Sequence, residues 1–390
     1  MYISPASVPN TSPASAVENA SVRLVKGHAA VLRLAGFLRE FGARCGQPGA
    51  MHDLGFFLAK PGAMARIPHL LLVSREKQFD ADAPRLDDLL GVLLIFEYRA
   101  MGWGTGAFAT NDRSGRSTLL ALPGLEQKVA ALAVQALVQR GAQVVLASYR
   151  HESRIGDSAA HALDQPPLQV PDGEKRRARW VTRDRAINGY LPLEATYDAT
   201  LAKIGQRTRS NLRYYRRRAE KQLGCIFSPA IEITREELLK LNGECMYAVP
   251  ASVAAWRYDS LKELSVPLLM GLKDREGRWL SLLGGRRYGG WSEILWQMNR
   301  EGYATDSLST VMRSYFIEHE IAQGSTRLYI EGGTPQPIRF SFVEEKLIDL
   351  AVVRCSAVGW LMSRLVRHTI SPDNELAKML NGKDLGWQDC

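Results

Sequence analysis

The sequence predicts an α/β fold with a mixed sheet, built twice along the chain, and the clearest signs lie in the C-terminal half. Three strands, at 266–273, 278–287 and 291–299, are separated by short turns that contain glycine, which is typical of an antiparallel meander. The apolar residues then take a helical spacing over 308–322, and a fourth strand follows at 326–330. Because a helix joins the third strand to the fourth, we expect these two strands to be parallel.

The N-terminal half repeats this order of elements. Strands are predicted at 90–99, 106–110 and 117–122, a helix at 125–140, and a further strand at 144–149. The two halves share almost no residue identity, so the repeat is one of architecture and not of sequence.

Length and composition indicate how the chain divides. A chain of 390 residues is long for a single core, and two domains are the natural expectation. Proline and glycine with few periodic apolar residues, between 154 and 180, indicate a linker. We therefore predict a disordered leader at 1–22, an N-terminal domain at 23–153, a linker at 154–190, a C-terminal domain at 191–355 whose first strand is 193–200, and a helical tail at 356–390.

Cysteine and histidine usage gives no sign of a metal site. The five cysteines are widely spaced without a C-x-x-C motif, and the seven histidines are scattered without an H-x-x-x-H pair. This pattern argues against a disulfide framework or a structural zinc site, and it favours a reducing compartment. No metal cofactor is expected.

Membrane and secretion signals are also missing from the sequence. No apolar run approaches the roughly 18–20 residues that a membrane helix needs. The first 20 residues contain no positively charged segment followed by an apolar stretch, as a signal peptide would. The prediction is a cytoplasmic protein without a transmembrane segment.

The net charge of +9 is concentrated in one short segment. Residues 203–221 contain eight basic side chains and a single acid, a net +7, so the rest of the chain is nearly neutral. Helical spacing places Arg209, Arg213 and Arg217 in one stripe, with tyrosines between them. Such a helix is often only a solvated basic face. The functional readings are a clamp for phosphates of a donor, an RNA contact, or docking on an anionic membrane.

The start of the helix predicted at 308–322 is a candidate anion site. It is entered directly from a strand, where the pairing is expected to change from antiparallel to parallel. The first amides of a helix are unpaired and its N-terminal end is positive, so a diphosphate can bind there. Ser307, Ser309 and Thr310 add hydroxyl groups, although hydroxyls at this position are also ordinary helix caps.

Glu293 and Glu331 are the carboxylates nearest to the expected cleft, and each is a candidate general base. Strand alternation places Glu293 on one face with Gln297 and Asn299. Glu331 ends a parallel strand, where ligands often bind. A salt bridge to one of the arginines at 286–287, on the neighbouring strand, would explain Glu293 equally well.

Residues 191–345 resemble the GNAT acyltransferase fold, and more narrowly the bacterial CelD-like acetyltransferase domains, which are related to the FemABX peptidyltransferases. The likeness is carried by the basic run at 207–218, by the segment from Gly-Gly-Arg-Arg at 284–287 to Ser-Leu-Ser-Thr at 307–310, and by the strand ending Tyr-Ile-Glu-Gly-Gly at 329–333. The resemblance implies tandem GNAT-like (acyl-CoA N-acyltransferase) domains, of which the C-terminal one is active.

The resemblance also implies a donor and a reaction. Acetyl-CoA or another acyl-CoA would bind with its pantetheine along the third strand and its pyrophosphate at the helix start. An amine or hydroxyl of a small-molecule or glycan acceptor would attack the thioester, which requires positioning, a base and oxyanion donors, but no metal. The implied donor contacts are Gln297, Asn299, Ser307, Ser309 and Thr310.

The sequence leaves three hypotheses on function open. The first is acyl transfer from CoA, in cell-envelope or polysaccharide metabolism. The second keeps the fold and takes aminoacyl-tRNA as donor, with the basic helix as the RNA contact. The third is a non-catalytic GNAT-like binding module, and it is favoured by the absent Q/R-x-x-G-x-G/A loop, because Arg300 and Gly302 are followed by no second glycine. A peripheral membrane contact through the basic helix is compatible with each of the three hypotheses.

Overall fold

The architecture comes from a computed structural model, which describes residues 20–47, 51–59, 66–76, 84–100, 103–110, 118–150, 178–330, 343–369, 375–380 and 388–389. The predicted leader up to residue 19 and most of the predicted linker, 154–177, lie outside these described residues.

The N-terminal half contains six strands and four helices in its described parts. The strands are β1 (Ser21–Lys26), β2 (Arg66–Ser74), β3 (Leu89–Ala100), β4 (Trp103–Ala109), β5 (Leu119–Ala121) and β6 (Val144–Arg150). The helices are α1 (His28–Arg33), α2 (Ala35–Arg44), α3 (Leu54–Leu58) and α4 (Glu126–Gln139).

The C-terminal half begins with a long strand and continues with helices before its meander. Its strands are β7 (Ala178–Pro192), β8 (Ile226–Ser228), β9 (Pro267–Lys273), β10 (Trp279–Tyr288), β11 (Trp291–Asn299), β12 (Arg327–Ile330), β13 (Val343–Arg354) and β14 (Gln388–Asp389). Its helices are α5 (Tyr197–Lys203), α6 (Gln206–Leu223), α7 (Arg235–Gly243), α8 (Ala251–Asp259), α9 (Leu308–Ala322), α10 (Ala357–Thr369) and α11 (Glu375–Met379).

All the described strands belong to one sheet that runs through both halves. Its order is β1-β2-β3-β4-β6-β13-β7-β12-β11-β10-β9-β8, with β5 on β3 and β14 on β7. Two described pairs are parallel, β4 with β6 and β11 with β12, and each is joined through a helix, α4 or α9. This is the mixed sheet, with the same order of elements in both halves, that the sequence predicts, and that prediction is confirmed.

Helices cover both faces of the sheet in each half. In the N-terminal half α4 packs on one face, and α1 to α3 together with α10 and α11 pack on the other. In the C-terminal half α5, α6 and α9 share one face. The opposite face is covered by α7 and α8, and also by Phe56 and Phe57 of α3, so the N-terminal half contributes to the core of the C-terminal half.

Several predicted elements differ from the structure, and each difference has a local reason. Residues 193–200 do not form a strand, because the Thr196 side chain accepts a hydrogen bond from the amide of Ala199 and starts α5. The last part of the predicted linker, from 178, belongs to β7, which pairs with β13 along most of its length. Strands β1, β2 and β13 were not predicted.

None of the helices in the described part of the chain combines the length and the apolar character that a membrane span requires.

Candidate functional site

A β-bulge interrupts the pairing of β10 with β11 in the middle of the C-terminal meander. Gly284 pairs with Trp296 and Gly285 pairs with Ile294, so Leu295 has no partner on β10. The two glycines are required for this close approach. A Cβ atom on Gly285 would lie 2.4 Å from the carbonyl oxygen of Glu293, well inside van der Waals contact. Bulges of this kind redirect side chains and are common beside active sites.

The described parallel pairing of β11 with β12 reaches the residue before the bulge. The β11–β12 register runs from Trp291 opposite Arg327 to Ile294 opposite Ile330. β11 continues to Asn299 with β10 as its partner, and residues 331–342, which follow β12, lie outside the described residues. Leu295 to Asn299 of β11 therefore have no described partner on the side of β12, and we call this stretch of β11 the β11 gap.

A small polar cluster lies on the α9 face of β11. The amide nitrogen of Gln297 is 3.0 Å from Asn299 Oδ1 and 3.4 Å from Ser281 Oγ. Ser281 Oγ in turn donates to Asn299 Oδ1 over 2.9 Å. The carbonyl oxygen of the Gln297 side chain is buried without a hydrogen-bond partner, which leaves an acceptor available to a ligand.

Glu293 does not share a face with Gln297 and Asn299, and the prediction that it does is wrong. The extra residue of the bulge reverses the alternation, so that Ile294 packs toward α9 whereas Trp296 packs toward α7 and α8. Glu293 therefore points to the face opposite the polar cluster.

Glu293 is 1% exposed and lies in a buried network that joins the two halves of the chain. Arg286 Nε donates to Glu293 Oε2 over 2.8 Å, and Arg286 Nη1 donates to Asp53 Oδ2 over 3.0 Å. Asp53 immediately precedes α3, and its other oxygen accepts from the amide of Ser265. Burial alone would lower the pKa of Arg286, but the carboxylates of Glu293 and Asp53 outweigh it and raise the pKa. The salt bridge between Glu293 and Arg286 is therefore present, and it is one of the two roles that the sequence predicts for Glu293.

The start of α9 carries the predicted hydroxyl groups. Ser307 precedes the first helical residue in a left-handed conformation, φ 48° and ψ 52°, and its hydroxyl is 2.8 Å from that of Thr310. Ser309, in the first turn, is half-buried. The first turn contains no acidic residue. The positive end of α9 is thus not neutralised by a carboxylate of its own first turn.

The basic segment forms α6, beside the start of α9, and several of its arginines are ion-paired. Arg218 Nε donates to Asp306 Oδ1 over 3.0 Å, just before α9. Arg216 Nη1 bonds to Glu318 over 2.7 Å, and Arg213 bonds to Asp198 over 2.8 Å. Two of the predicted anion contacts remain without a carboxylate partner among the described residues, namely Arg209 and Arg217. Within the predicted stripe only Arg213 is ion-paired to a described residue, and it ties α6 to α5, whereas the contacts toward α9 come from Arg216 and Arg218, outside the stripe.

Arg313, on α9, was not among the predicted site residues. It is only 8% exposed, and within the described chain its Nε has no hydrogen-bond partner and its guanidinium has no ion pair. Burial lowers its pKa, and no neighbouring carboxylate opposes that effect. A buried arginine without an anion is costly in a folded protein. The sequence signal was an arginine inside the apolar spacing of the helix, next to Met312.

Glu331, the second predicted carboxylate, follows β12 and lies outside the described residues. The described residues contain no cluster of three or more His, Cys, Asp or Glu side chains that would hold a metal ion. A cavity of about 590 Å³ lies elsewhere, at the C-terminal end of α9, where His319 and Gln323 face apolar residues of β9. It is separate from the β11 gap.

No family model matches the sequence, and no curated protein matches it. Among solved structures, a crystal structure of FemX is 12% identical, with a TM-score of 0.48, and the match covers 83% of this chain and 96% of FemX. L-PGS from Bacillus licheniformis is 13% identical, with a TM-score of 0.46, over 85% of this chain and 96% of that protein.

A tandem GNAT protein from the clavulanic acid biosynthesis pathway is also similar, at 11% identity and a TM-score of 0.42, over 86% of this chain and 99% of that one. At such identities the likeness concerns the path of the chain and not its chemistry.

Proposed function

We propose that this chain is an acyltransferase that moves an acyl group from a CoA thioester to an amine or hydroxyl acceptor. The observation that carries the proposal is the bulge of β11 at Leu295, which is followed by a polar cluster on the same strand and by a helix whose first turn contains no acid. The acceptor belongs to the small-molecule or glycan class.

The β11 gap suits the pantetheine arm of CoA. A strand edge presents a row of backbone N–H and C=O groups that can pair with an extended ligand. Pantetheine is extended and contains two amide groups. We propose that it lies along β11, with Gln297 and Asn299 as side-chain contacts. The unpaired acceptor of Gln297 supports this placement.

The start of α9 suits the diphosphate of CoA. Amides of the first turn and the helix dipole favour a negative group there. Ser307, Ser309 and Thr310 supply hydroxyl donors at this point. On the adjacent α6, we propose that Arg209 and Arg217 contact the outer phosphates, whereas Arg213 is committed to Asp198 and contributes only charge.

The chemistry requires an oxyanion donor and a base. We propose the backbone amide at Leu295 as the oxyanion donor, because a bulge residue has no partner on the neighbouring strand. Glu331, which directly follows β12, is the proposed base. Glu293 has its carboxylate on Arg286, and we propose that it positions the bulge and does not accept a proton.

Binding of CoA esters to the purified chain tests this proposal directly. A ligand that binds only the native state raises the melting temperature. At a ligand concentration of a hundred times Kd, it adds about 2.7 kcal/mol to the free energy of unfolding. We expect acetyl-CoA or a longer acyl-CoA to raise the melting temperature of the wild type, and Gln297→Ala to reduce that rise. No rise with any CoA ester up to millimolar concentration would favour the non-catalytic binding module.

Aminoacyl-tRNA is the second candidate donor, favoured by the exposed surface of α6. Arg207, Arg217 and Lys221 are exposed without a carboxylate partner among the described residues, and Tyr214 beside them is 52% exposed. Basic side chains with an accessible aromatic ring are typical of RNA contacts. A gel shift with charged and uncharged tRNA at increasing salt separates the donors, because RNA binding falls steeply with salt.

A further inference from the structure

The outer face of α10 carries large apolar side chains. Val358 is 56% exposed, Trp360 57%, Leu361 52% and Leu365 48%. A helix on the surface of a protein ordinarily turns its large apolar side chains toward the core. A group of such side chains on the outside is typical of an interaction surface. We call these four residues the α10 patch.

The face that α10 turns toward the sheet carries smaller side chains. Gly359 is buried, and a Cβ atom there would lie 2.2 Å from the carbonyl oxygen of Arg354. Ser363 is 9% exposed and Val366 is 3% exposed, and Val366 packs in one cluster with Ala107 of β4. Packing against the sheet therefore explains the small side chains of α10 and does not explain the large ones.

The charges on and around the α10 patch are positive. Residues 350–369 contain three arginines and no aspartate or glutamate. Arg364 is exposed and lies over the Trp360 ring, 4.3 Å from its centroid, and helical spacing places it between Trp360 and Leu361 on the outer face. Arg367, about one turn farther on, donates to a backbone carbonyl oxygen, which leaves its charge unchanged. The occupant that suits this face is therefore apolar and anionic.

A second copy of the chain does not have that chemistry. Two copies related by a two-fold axis bring the same patch together. Arg364 would then be buried against a helix that supplies arginine and no acid, and an unpaired buried charge is costly. An anionic lipid surface suits the patch, because leucine enters the acyl boundary, tryptophan favours the interface and arginine meets the headgroup phosphates.

We propose that α10 binds the surface of an anionic membrane, with the α10 patch at the boundary between headgroups and acyl chains. The helix has 13 residues and lies in the plane of the surface. This contact is distinct from the one considered for the basic helix α6, because α10 packs on β4, β6 and β13. It does not depend on the proposed function, since binding to lipid requires no acyl donor.

Co-sedimentation with lipid vesicles tests the proposal. The wild type should bind vesicles of phosphatidylcholine with phosphatidylglycerol more tightly than vesicles of phosphatidylcholine alone, and salt should weaken this binding. Leu361→Ser combined with Leu365→Ser should weaken it roughly tenfold or more, because apolar burial is lost. Arg364→Gln should weaken it about fivefold, the effect of one basic residue near an anionic surface. A wild type that does not bind anionic vesicles overturns the proposal.

Two control variants locate the contact. Ile226→Ser should leave vesicle binding unchanged, because Ile226 is 61% exposed on β8, the strand at one end of the sheet order. Arg209→Gln combined with Arg217→Gln removes two charges from α6. Loss of binding in that variant, with full binding in the α10 variants, would assign the contact to α6 and overturn the proposal.

Stability, association state and fluorescence separate lipid binding from other roles of the patch. The two leucines are exposed, so their replacement by serine should not lower the melting temperature. A marked fall would show that the chain itself covers them, which overturns the proposal. A dimer that these substitutions dissociate, without vesicle binding by the wild type, would place a second copy on the patch. With anionic vesicles, tryptophan emission should shift to shorter wavelength, and Trp360→Phe should reduce that shift.

Discussion

The two strand–helix–strand units of the chain share a topology but differ at the helix start. In the C-terminal unit, the first turn of α9 contains no acid, and Asp306 just before it is paired with Arg218. In the N-terminal unit, α4 begins with Glu126, which is 3% exposed and accepts from the amide of Gly124 over 3.2 Å. The positive end of α4 is therefore already occupied by a carboxylate of the chain itself.

The strand pair of the N-terminal unit is closed as well. Past the register of β4 and β6, the amide of Thr110 donates to Leu146 O over 3.0 Å, and its hydroxyl accepts from the amide of Ser148 over 3.1 Å. Tyr149 of β6 is buried, and this burial, together with the carboxylates of Asp184 and Glu126, raises its pKa. The N-terminal unit is thus filled by its own side chains. We call the C-terminal unit, whose first helical turn contains no acid, the open unit, and we expect donor binding only there.

The largest expected effect comes from breaking the network that supports the open unit. Glu293→Gln and Asp53→Asn each remove one carboxylate from buried Arg286, and each should lower the free energy of unfolding by about 3–5 kcal/mol. Urea denaturation measures both. Since we propose a positioning role for Glu293, the rate at which CoA is released from acetyl-CoA should fall equally in the two variants. A loss confined to Glu293→Gln would make Glu293 the base.

A smaller effect is expected from closing the open unit in the manner of its counterpart. Ser309→Glu places a carboxylate in the first turn of α9, as Glu126 does in α4. It should stabilise the chain by about 0.3–1 kcal/mol through the helix dipole. It should also weaken binding of acetyl-CoA at least tenfold, by about 1.4 kcal/mol.

Calorimetric titration and thermal denaturation measure the two consequences of Ser309→Glu. Glu126→Gln is the control: it should lower stability and leave acetyl-CoA affinity unchanged. An acetyl-CoA affinity that is insensitive to Ser309→Glu but sensitive to Glu126→Gln would move the donor site to the N-terminal unit.

The smallest effect on donor binding is expected from Asp349, on β13 next to β6, which governs the response of stability to acid. Burial alone would raise its pKa, but hydrogen bonds from Arg185, Ser148 and Arg183 outweigh it and hold the pKa below the ordinary value of 3.8. A carboxyl with a depressed folded pKa stabilises the fold above its unfolded pKa, and this stabilisation is lost as pH falls through the folded pKa. Denaturation of the wild type between pH 2 and 6 should show that the free energy of unfolding falls as the pH falls, and this fall should be smaller in Asp349→Asn. Equal acid sensitivity in both proteins would assign the loss to other carboxyls.

Local signals in the sequence predicted most of the open unit. The turns with glycine predict the meander of β9, β10 and β11, and the predicted strand ends lie within one residue of those in the structure. The change from strand spacing to helical spacing of the apolar residues predicts α9 over 308–322, as the structure has it. These features depend on neighbours in the chain, so one sequence contains them.

Long-range features could not be predicted in the same way. The bulge at Leu295 requires knowledge of the β10 partner, and without it the strand alternation put Glu293 on the wrong face. The pair of glycines at 284 and 285 was its only local sign. Likewise, β13 alternates as a strand does, but its partners β6 and β7 are more than 150 residues away along the chain. The proposed roles of Gln297, Asn299 and Glu331 stay predictions.

The insertion of β13 between β6 and β7 has a consequence during protein synthesis. When the ribosome has completed β6, roughly two hundred residues remain to be added before β13 exists, which takes about 10–40 s. β6 lacks this neighbour throughout that time, and β7 lacks it from its own synthesis onward; such edges invite pairing with other chains. We therefore expect the nascent N-terminal half to depend on shielding of the free edge of β6, and a chain that stops after residue 342 to aggregate.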